Sequence, residues 1–265
     1  MKLIYNNIIM RNLKFVAAFV FMILAAVSCS GRDDEGTIPP PPDSEKRMEW
    51  ELVFEDDFDG DCVDETVWSV YDYPGHAGNG LRSPEALSVE KGLFIITASM
   101  KDGVLYSGAM AHKQNYTYGK FEFRVRCEPD PSGAMSAVVL TWPQDEAWPD
   151  SGENDIYETH SEQNKDRKFL TTNILSGLPL NKWSNKKYDD VDATEWHVVA
   201  MEWQDNMMRF YIDGRLRWRL DNPKDFTHKP HHLCIQYDAF KPEMTGVTRM
   251  FVDWVKIYQA KNRDE

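Results

Sequence analysis

From Met48 to Gln259 the chain repeatedly alternates apolar and polar side chains with a period of two. In KFEFRVRC (120–127), Phe121, Phe123 and Val125 fall on one face while Glu122, Arg124 and Arg126 fall on the other. A strand packed on one side and wetted on the other has this pattern. LFIITAS (93–99), AVVLTW (137–142), WHVVAMEW (196–203), HLCIQYDAF (232–240) and RMFVDWVKIY (249–258) are further short apolar or alternating runs between turn residues. In MRFYIDGRLRWRL (208–220), Asp213-Gly214 separates two alternating arms and predicts a tight hairpin turn, with Arg215, Arg217 and Arg219 on the solvated face. No segment sustains a helical period beyond about three turns, and no repeat at fixed spacing is present. Many short strands in a row predict one all-β domain over residues 48–260, an antiparallel β-sandwich.

The first residues follow a different rule. Lys2, Arg11 and Lys14 precede an apolar run from Phe15 to Val27, too short to span a bilayer comfortably and suited to the core of a signal peptide. It ends in Ala26-Val27-Ser28-Cys29, which resembles a bacterial lipobox with Ala26 where Leu is usual. Residues 1–28 therefore read as a lipoprotein signal, with Cys29 lipidated; ordinary secretion with an incidental cysteine is the plainer alternative. The stretch from Met10 is a complete signal by itself, so Met1 and Met10 both qualify as the start. Residues 29–47, with Asp33, Asp34, Glu35 and the run Pro39 to Pro42, cannot bury apolar area and read as a semi-extended tether. Acids just after the cysteine resemble the surface-export signal of lipoproteins in the Bacteroidetes. The expected location is the outer membrane, facing outward, or otherwise the periplasm or medium.

Composition narrows the functions. Apolar residues make up 42% of 265, enough for a sizeable core. A formal net charge of -13 disfavours nucleic acid and polyanionic partners. Cys62, Cys127 and Cys234 are widely spaced and form no C-x-x-C pair, which argues against a zinc site or disulfide framework. Buried free thiols are expected, one disulfide being the alternative.

Candidate chemistry concentrates in WPDSGENDIYETH (148–160). On a strand Glu153 and Asp155 share a face, but Glu158 points the other way by parity. One inserted residue, a β-bulge, would bring it back. Glu153 and Glu158 would then lie about 13 Å apart at Cα, and inward-leaning side chains would approach the roughly 5 to 5.5 Å needed for retaining glycoside hydrolysis. In that geometry one carboxylate attacks the anomeric carbon while the other protonates the leaving oxygen. Asp155, between them, would hold a proton or hydrogen bond and keep their pKa values apart. Acids at this spacing also arise by chance in a chain with 43 of them. Pro149 and Gly152, however, are costly on an ordinary strand.

Here the chain resembles a family. Trp148-Pro149-x-x-Gly152-Glu153-x-Asp155-Ile156-x-Glu158 is similar to the signature of family 16 glycoside hydrolases in the bulged, laminarinase-like form. GLRSPEALSVEKGLFIITA, YSGAMAHKQNYTYGKFEFRVRC, DATEWHVVAMEWQDNMMRFYIDG and MFVDWVKIYQ extend the resemblance in order. It implies a jelly-roll sandwich with a concave substrate cleft and retaining, endo-acting cleavage of β-glycosidic bonds. Glu153 corresponds to the nucleophile, Asp155 to the assisting acid and Glu158 to the general acid/base. β-1,3- or mixed β-1,3/1,4-glucan is the expected polysaccharide, with galactan or host glycan less favoured. A non-catalytic glycan-binding lipoprotein is the competing class. Hydrolysis requires no cofactor. The family's convex-face calcium would correspond to Glu55 and Asp253, which also read as merely solvated or hydrogen-bonded acids.

Three features depart from the family. Asn154 replaces a bulky aliphatic on the core face and requires a polar neighbour. TTNIL (171–175) lacks a His common on that strand, and HLCIQYDAF replaces a glycine-containing stretch. For sugar binding, apolar ring faces favour aromatic platforms. Trp142 and Trp148 are the nearest candidates, followed by Trp183 in the polar loop NKWSN, while Trp196, Trp203, Trp218 and Trp254 read as core. Gln236 suits a hydroxyl. Arg82 reads either as a hydroxyl ligand or as a surface arginine beside a turn, and His160 as a groove residue or a structural hydrogen bonder. His231-His232 have no metal-ligand spacing. The chain is read as a monomer.

Overall fold

Strands with one apolar face must pair those faces, and the computed structural model, which describes residues 48–261, shows two sheets doing so. The signal segment, Cys29 and the tether lie outside the described residues. The seven-stranded sheet runs in the order Trp183–Tyr188, Leu170–Leu175, Glu153–Glu158, Met135–Pro143, His231–Ala239, Ala109–His112 and Trp68–Val70. The other sheet has eleven strands, with Gly119–Cys127 and Val247–Ala260 side by side near its middle. Pairing is antiparallel apart from Leu81–Arg82 against Val104–Ser107. Among the described residues the helices are four short 3-10 turns.

Alternation decides which side chains fill the sandwich. Phe121, Phe123 and Val125 are fully buried in the main core, opposite Ala137, Val139, Ile156, Ile235 and Tyr237 from the facing sheet. Burying such side chains contributes about 1.5–3 kcal/mol each. The seven-stranded sheet also carries a second apolar layer on its far side, made of Ala111, Val138, Leu140 and Cys234 and covered by Tyr71 and Trp142. That far side is the open face on which the acids stand.

The tight turn forms as expected, with Asp213 and Gly214 both at positive φ (51° and 73°). Several sequence expectations need correction. NKWSN is not a loop: Trp183–Tyr188 is the edge strand of the seven-stranded sheet, and its polar pattern reflects exposure on both faces. Trp203 is core and Trp218 packs against it, but Trp196 lies on the outer face under the guanidinium groups of Arg124 and Arg126. Trp254 likewise sits on that face beside Lys256. A strand packed with cation-aromatic pairs alternates just as a core strand does. Cys127 and Cys234 are buried free thiols as expected, whereas Cys62 is exposed.

Gly152 turns the chain into the strand Glu153–Glu158 at φ +81°, where a Cβ would lie 2.6 Å from the Leu175 carbonyl oxygen and 2.7 Å from Thr227 Cβ. Both the dihedral and the space demand glycine. Gly152→Ala is expected to lower stability by about 2 kcal/mol or more, read as a lowered urea midpoint with unchanged slope.

Candidate active site

The strand Glu153–Glu158 holds one residue more than its neighbours. Val139 pairs with Tyr157 and Leu140 with Asp155, so Ile156 has no partner on that side. On the other side Asp155 pairs with Asn173 and Glu158 with Thr171, the same one-residue surplus. This is the bulge that parity required. Ile156 and Tyr157 both enter the core at 1% and 0% exposure, and Glu158 is released to the open face with Glu153 and Asp155. Glu153 and Glu158 keep some exposure; Asp155 between them is buried.

Burial pushes all three carboxyls up, and each has its own correction. Burial and the charges of Glu158 and Asp238 press Glu153 up to about 7, against hydrogen bonds from Trp148 and Asp155. The Trp148 indole Nε1 donates to Glu153 Oε2 at 2.8 Å. Asp155 is raised well above the ordinary range by burial and then by Glu153 and Glu158, so Asp155 holds a proton and donates it toward Glu153. Glu158 is raised by burial and pulled back by His160, with Asp238 raising it and Asn173 lowering it. His160 Nδ1 lies 3.8 Å from Glu158 Oε1. The Asn173 amide donates to Glu158 Oε2 and is itself oriented by Asn185, whose Nδ2 donates to Asn173 Oδ1 at 2.7 Å.

Asn154 finds the polar neighbour that its burial required. Its Nδ2 donates to Thr141 Oγ1 at 2.8 Å, and Thr141 Oγ1 lies 3.1 Å from His231 Nδ1. His231 Nε2 faces the Ser151 carbonyl at 3.1 Å, and burial depresses its pKa to about 4. His231 Nδ1 also lies 2.9 Å from the Thr141 carbonyl oxygen, so each ring nitrogen faces a backbone carbonyl and the neutral ring can donate to only one of them. Asn154 Oδ1 stays without a partner.

The remaining expectations divide. Trp142 covers the open-face layer and its Nε1 donates to Glu146 Oε2 at 2.8 Å. Trp148 is half-exposed beside Glu153, and exposed Trp183 sits opposite Leu175, which is opposite Glu153. Arg82 is not a surface arginine: its side chain is 14% exposed, and it donates to Asp238 Oδ1 from Nε and Nη2 at 3.0 and 2.8 Å. Its Nη2 also donates to Gln236 Oε1 at 2.8 Å. Glu55 pairs with Lys256, and Asp253 with Arg124. Their charges are already met by cations, and no cluster of three acid, histidine or cysteine ligands exists among the described residues. Glu55 and Asp253 do not fit a calcium site.

Sequence reasoning missed Asp238, Asn173 and Asn185. Asp238 was legible, since it shares the parity of Gln236 in HHLCIQYDA. It missed Arg167 too. That residue is fully buried and donates to the carbonyls of His160, Met135 and Asn164, bracing the turn in which His160 adopts φ 54°.

A family model for glycosyl hydrolases family 16 matches residues 79–256, which include the bulged strand and most of both sheets. The chain belongs to that family. A β-glucanase from Rhodothermus marinus is 28% identical over 281 residues, spanning 91% of this chain and 93% of the relative. The laminarinase structure from Rhodothermus marinus superposes with a TM-score of 0.69 at 23% identity, covering 82% of this chain and 100% of that one. The catalytic domain of an endo-1,3-β-glucanase (laminarinase) from Thermotoga petrophila RKU-1 gives 0.68 at 22%, with 82% and 100% covered. The chain is thus a glycosidase with the jelly-roll fold of its family.

A hydrogen bond to an ionised carboxylate lowers its pKa, so removing the donor raises it. Trp148→Phe removes the Nε1 donor from Glu153. The acidic limb of the kcat/KM profile is expected to move up by about one pH unit, measured across a buffered series.

Proposed function

We propose that the enzyme is an endo-acting β-glycan hydrolase, cutting β-1,3- or mixed β-1,3/1,4-glucan with retention of configuration. The observation that carries this reading is the Ile156 bulge, which gathers Glu153, Asp155 and Glu158 on one face. The names of the relatives, a β-glucanase and laminarinases, support the substrate class.

Each carboxyl then has one task. Glu153, as carboxylate, attacks the anomeric carbon; the bond to the leaving oxygen breaks and Glu158 gives that oxygen its proton. Protonated Asp155 and the Trp148 indole hold the Glu153 carboxylate in place. In the second step Glu158, now ionised and supported by the Asn173 amide, takes a proton from water. The resulting nucleophile attacks the same carbon and frees Glu153. Trp142, Trp148 and Trp183 offer apolar rings to sugar faces, and Gln236 and Arg82 offer polar groups to hydroxyls. The reaction needs no cofactor.

Glu153→Gln and Glu158→Gln are each expected to lower the rate of reducing-end release from β-1,3-glucan by about 10⁴-fold, without loss of folding. Nuclear magnetic resonance of the first product from the wild type should show the β anomer. An inverted anomer overturns the nucleophile assignment. Glycan binding with no release of reducing ends overturns the enzyme assignment.

The segment before the domain extends the reading to location. A basic start, an apolar run and Ala26-Val27-Ser28-Cys29 support lipidation at Cys29, and the acids after it support display on the outer membrane. Cys29→Ser is expected to abolish fatty-acid labelling of the full chain and move it from the membrane fraction to the soluble one.

A further inference from the structure

The open face carries a fourth acid that the two-step reaction does not use. Asp238 is 6% exposed, and its charge raises the pKa of Glu153, Asp155 and Glu158 alike. Register fixes its place. Glu158 pairs with Val138 and Val138 with Gln236, so Glu158 and Gln236 stand two strands apart, about 10 Å at Cα. Asp238 follows Gln236 on the same face, one residue pair further along. That offset is the scale of one or two sugar units from the cleavage point.

Arg82 reaches this point from the other sheet. Its guanidinium lies 5.7 and 5.6 Å from the ring centroids of Tyr71 and Tyr73 and donates twice to Asp238 Oδ1 and once to Gln236 Oε1. A free arginine in a sugar site is a ready counter-ion for sulfate or uronate, because its fork matches their oxygens. Here Asp238 cancels that charge before any substrate arrives. The local sum over Arg82 and Asp238 is zero, and beside them the Glu153 carboxylate is the charge that the reaction itself requires.

We propose that Asp238 is a specificity-determining residue: by neutralising Arg82 it makes this part of the site accept neutral glycan and reject anionic glycan. A neutral sugar would use the Asp238 carboxylate as an acceptor and the Arg82 guanidinium as a donor, the Gln236 side chain being engaged by Arg82 and by the Cys234 thiol. A carboxylated or sulfated ring meets Asp238 and the Glu153 carboxylate, with the Arg82 charge already cancelled. The inference rests on the glycan-hydrolase reading and deepens it, because the acidic total of the chain does not itself say where the discrimination is made.

The test compares neutral β-1,3-glucan oligosaccharides with the same oligosaccharides carboxymethylated. Asp238→Asn keeps the shape and an acceptor for Arg82 while freeing the guanidinium charge. It is expected to raise the carboxymethylated-to-neutral ratio of kcat/KM about tenfold, the scale of one partly screened charge at this range. Arg82→Gln shifts the charge oppositely and is expected to lower the ratio, so the two variants bracket the wild type. A ratio unchanged within twofold in a folded Asp238→Asn overturns the proposal. Calorimetric binding of both oligosaccharides to the wild type and to Asp238→Asn reads the same selectivity without turnover. Failure of the wild type to cleave neutral glucan would count against the proposed activity alone.

Discussion

One surplus residue in one strand orients the chemistry of this molecule. Without Ile156 in its bulge, strict alternation would drive Glu158 into the sandwich and turn Tyr157 outward. Both outcomes are costly. An unpaired carboxylate in an apolar core is among the least favourable substitutions a fold can make, and Tyr157 would leave a core in which its ring stands edge-on to Phe123. The bulge resolves the conflict by sending two consecutive apolar side chains inward and the next acid outward. The core therefore selects the geometry of the acids: displacing Glu158 from the open face would also unpack Ile156 and Tyr157. A constellation held by core packing has little freedom to drift, which is what a reaction sensitive to carboxyl separation requires.

The three acids are crowded enough to share their titration, and their surroundings divide the labour. Burial raises every one of them, so the difference comes from hydrogen bonds and neighbouring charges. Asp155 has the drier position and keeps its proton, which turns a potential repulsion into a donor for Glu153. Trp148 supplies a second donor. Glu158 has Asn173 and His160, partners that favour its charged form, yet burial and Asp238 hold it above the ordinary range. Such a residue can give a proton in one step and regain one in the next. Asn173 is uncharged at every pH, so its support for Glu158 does not itself titrate, unlike a histidine in the same place.

The fold was legible because its code is binary. A period of two, glycine-containing turns and the absence of helical runs specify a sandwich, and the runs at 120–127, 137–142 and 232–240 differ from the observed strands Gly119–Cys127, Met135–Pro143 and His231–Ala239 by a residue or two at the ends. The same code fails where polarity is not a proxy for burial. Trp183–Tyr188 is polar because an edge strand exposes both faces, and Trp196 and Trp254 alternate like core residues while lying under cations on the outer sheet. In the site, Glu153, Asp155 and Glu158 were legible because parity made their conflict visible. Arg82 and Asp238 come from distant parts of the chain, on different sheets, so no local spacing announces their contact.

Asn154 joins these two levels, fold and site. An amide in the core is a defect by the logic of hydrophobic packing, and its Nδ2 is met by Thr141, whose hydroxyl in turn lies against His231. The chain they form does not end in the core. His231 holds the carbonyl of Ser151, which also accepts from Thr227 Oγ1 at 2.7 Å, and Ser151 immediately precedes Gly152 and Glu153. Asn154 is thus tied through two buried side chains to the turn that delivers its own neighbour to the open face. Burial keeps the imidazole neutral between the carbonyls of Thr141 and Ser151, so no buried charge is created. A polar core residue that an aliphatic side chain would replace at little packing cost instead links the entry turn of the bulged strand to the strands Met135–Pro143 and His231–Ala239. The position of Glu153 is consequently fixed from both sides, by Trp148 across the open face and by this buried chain behind it.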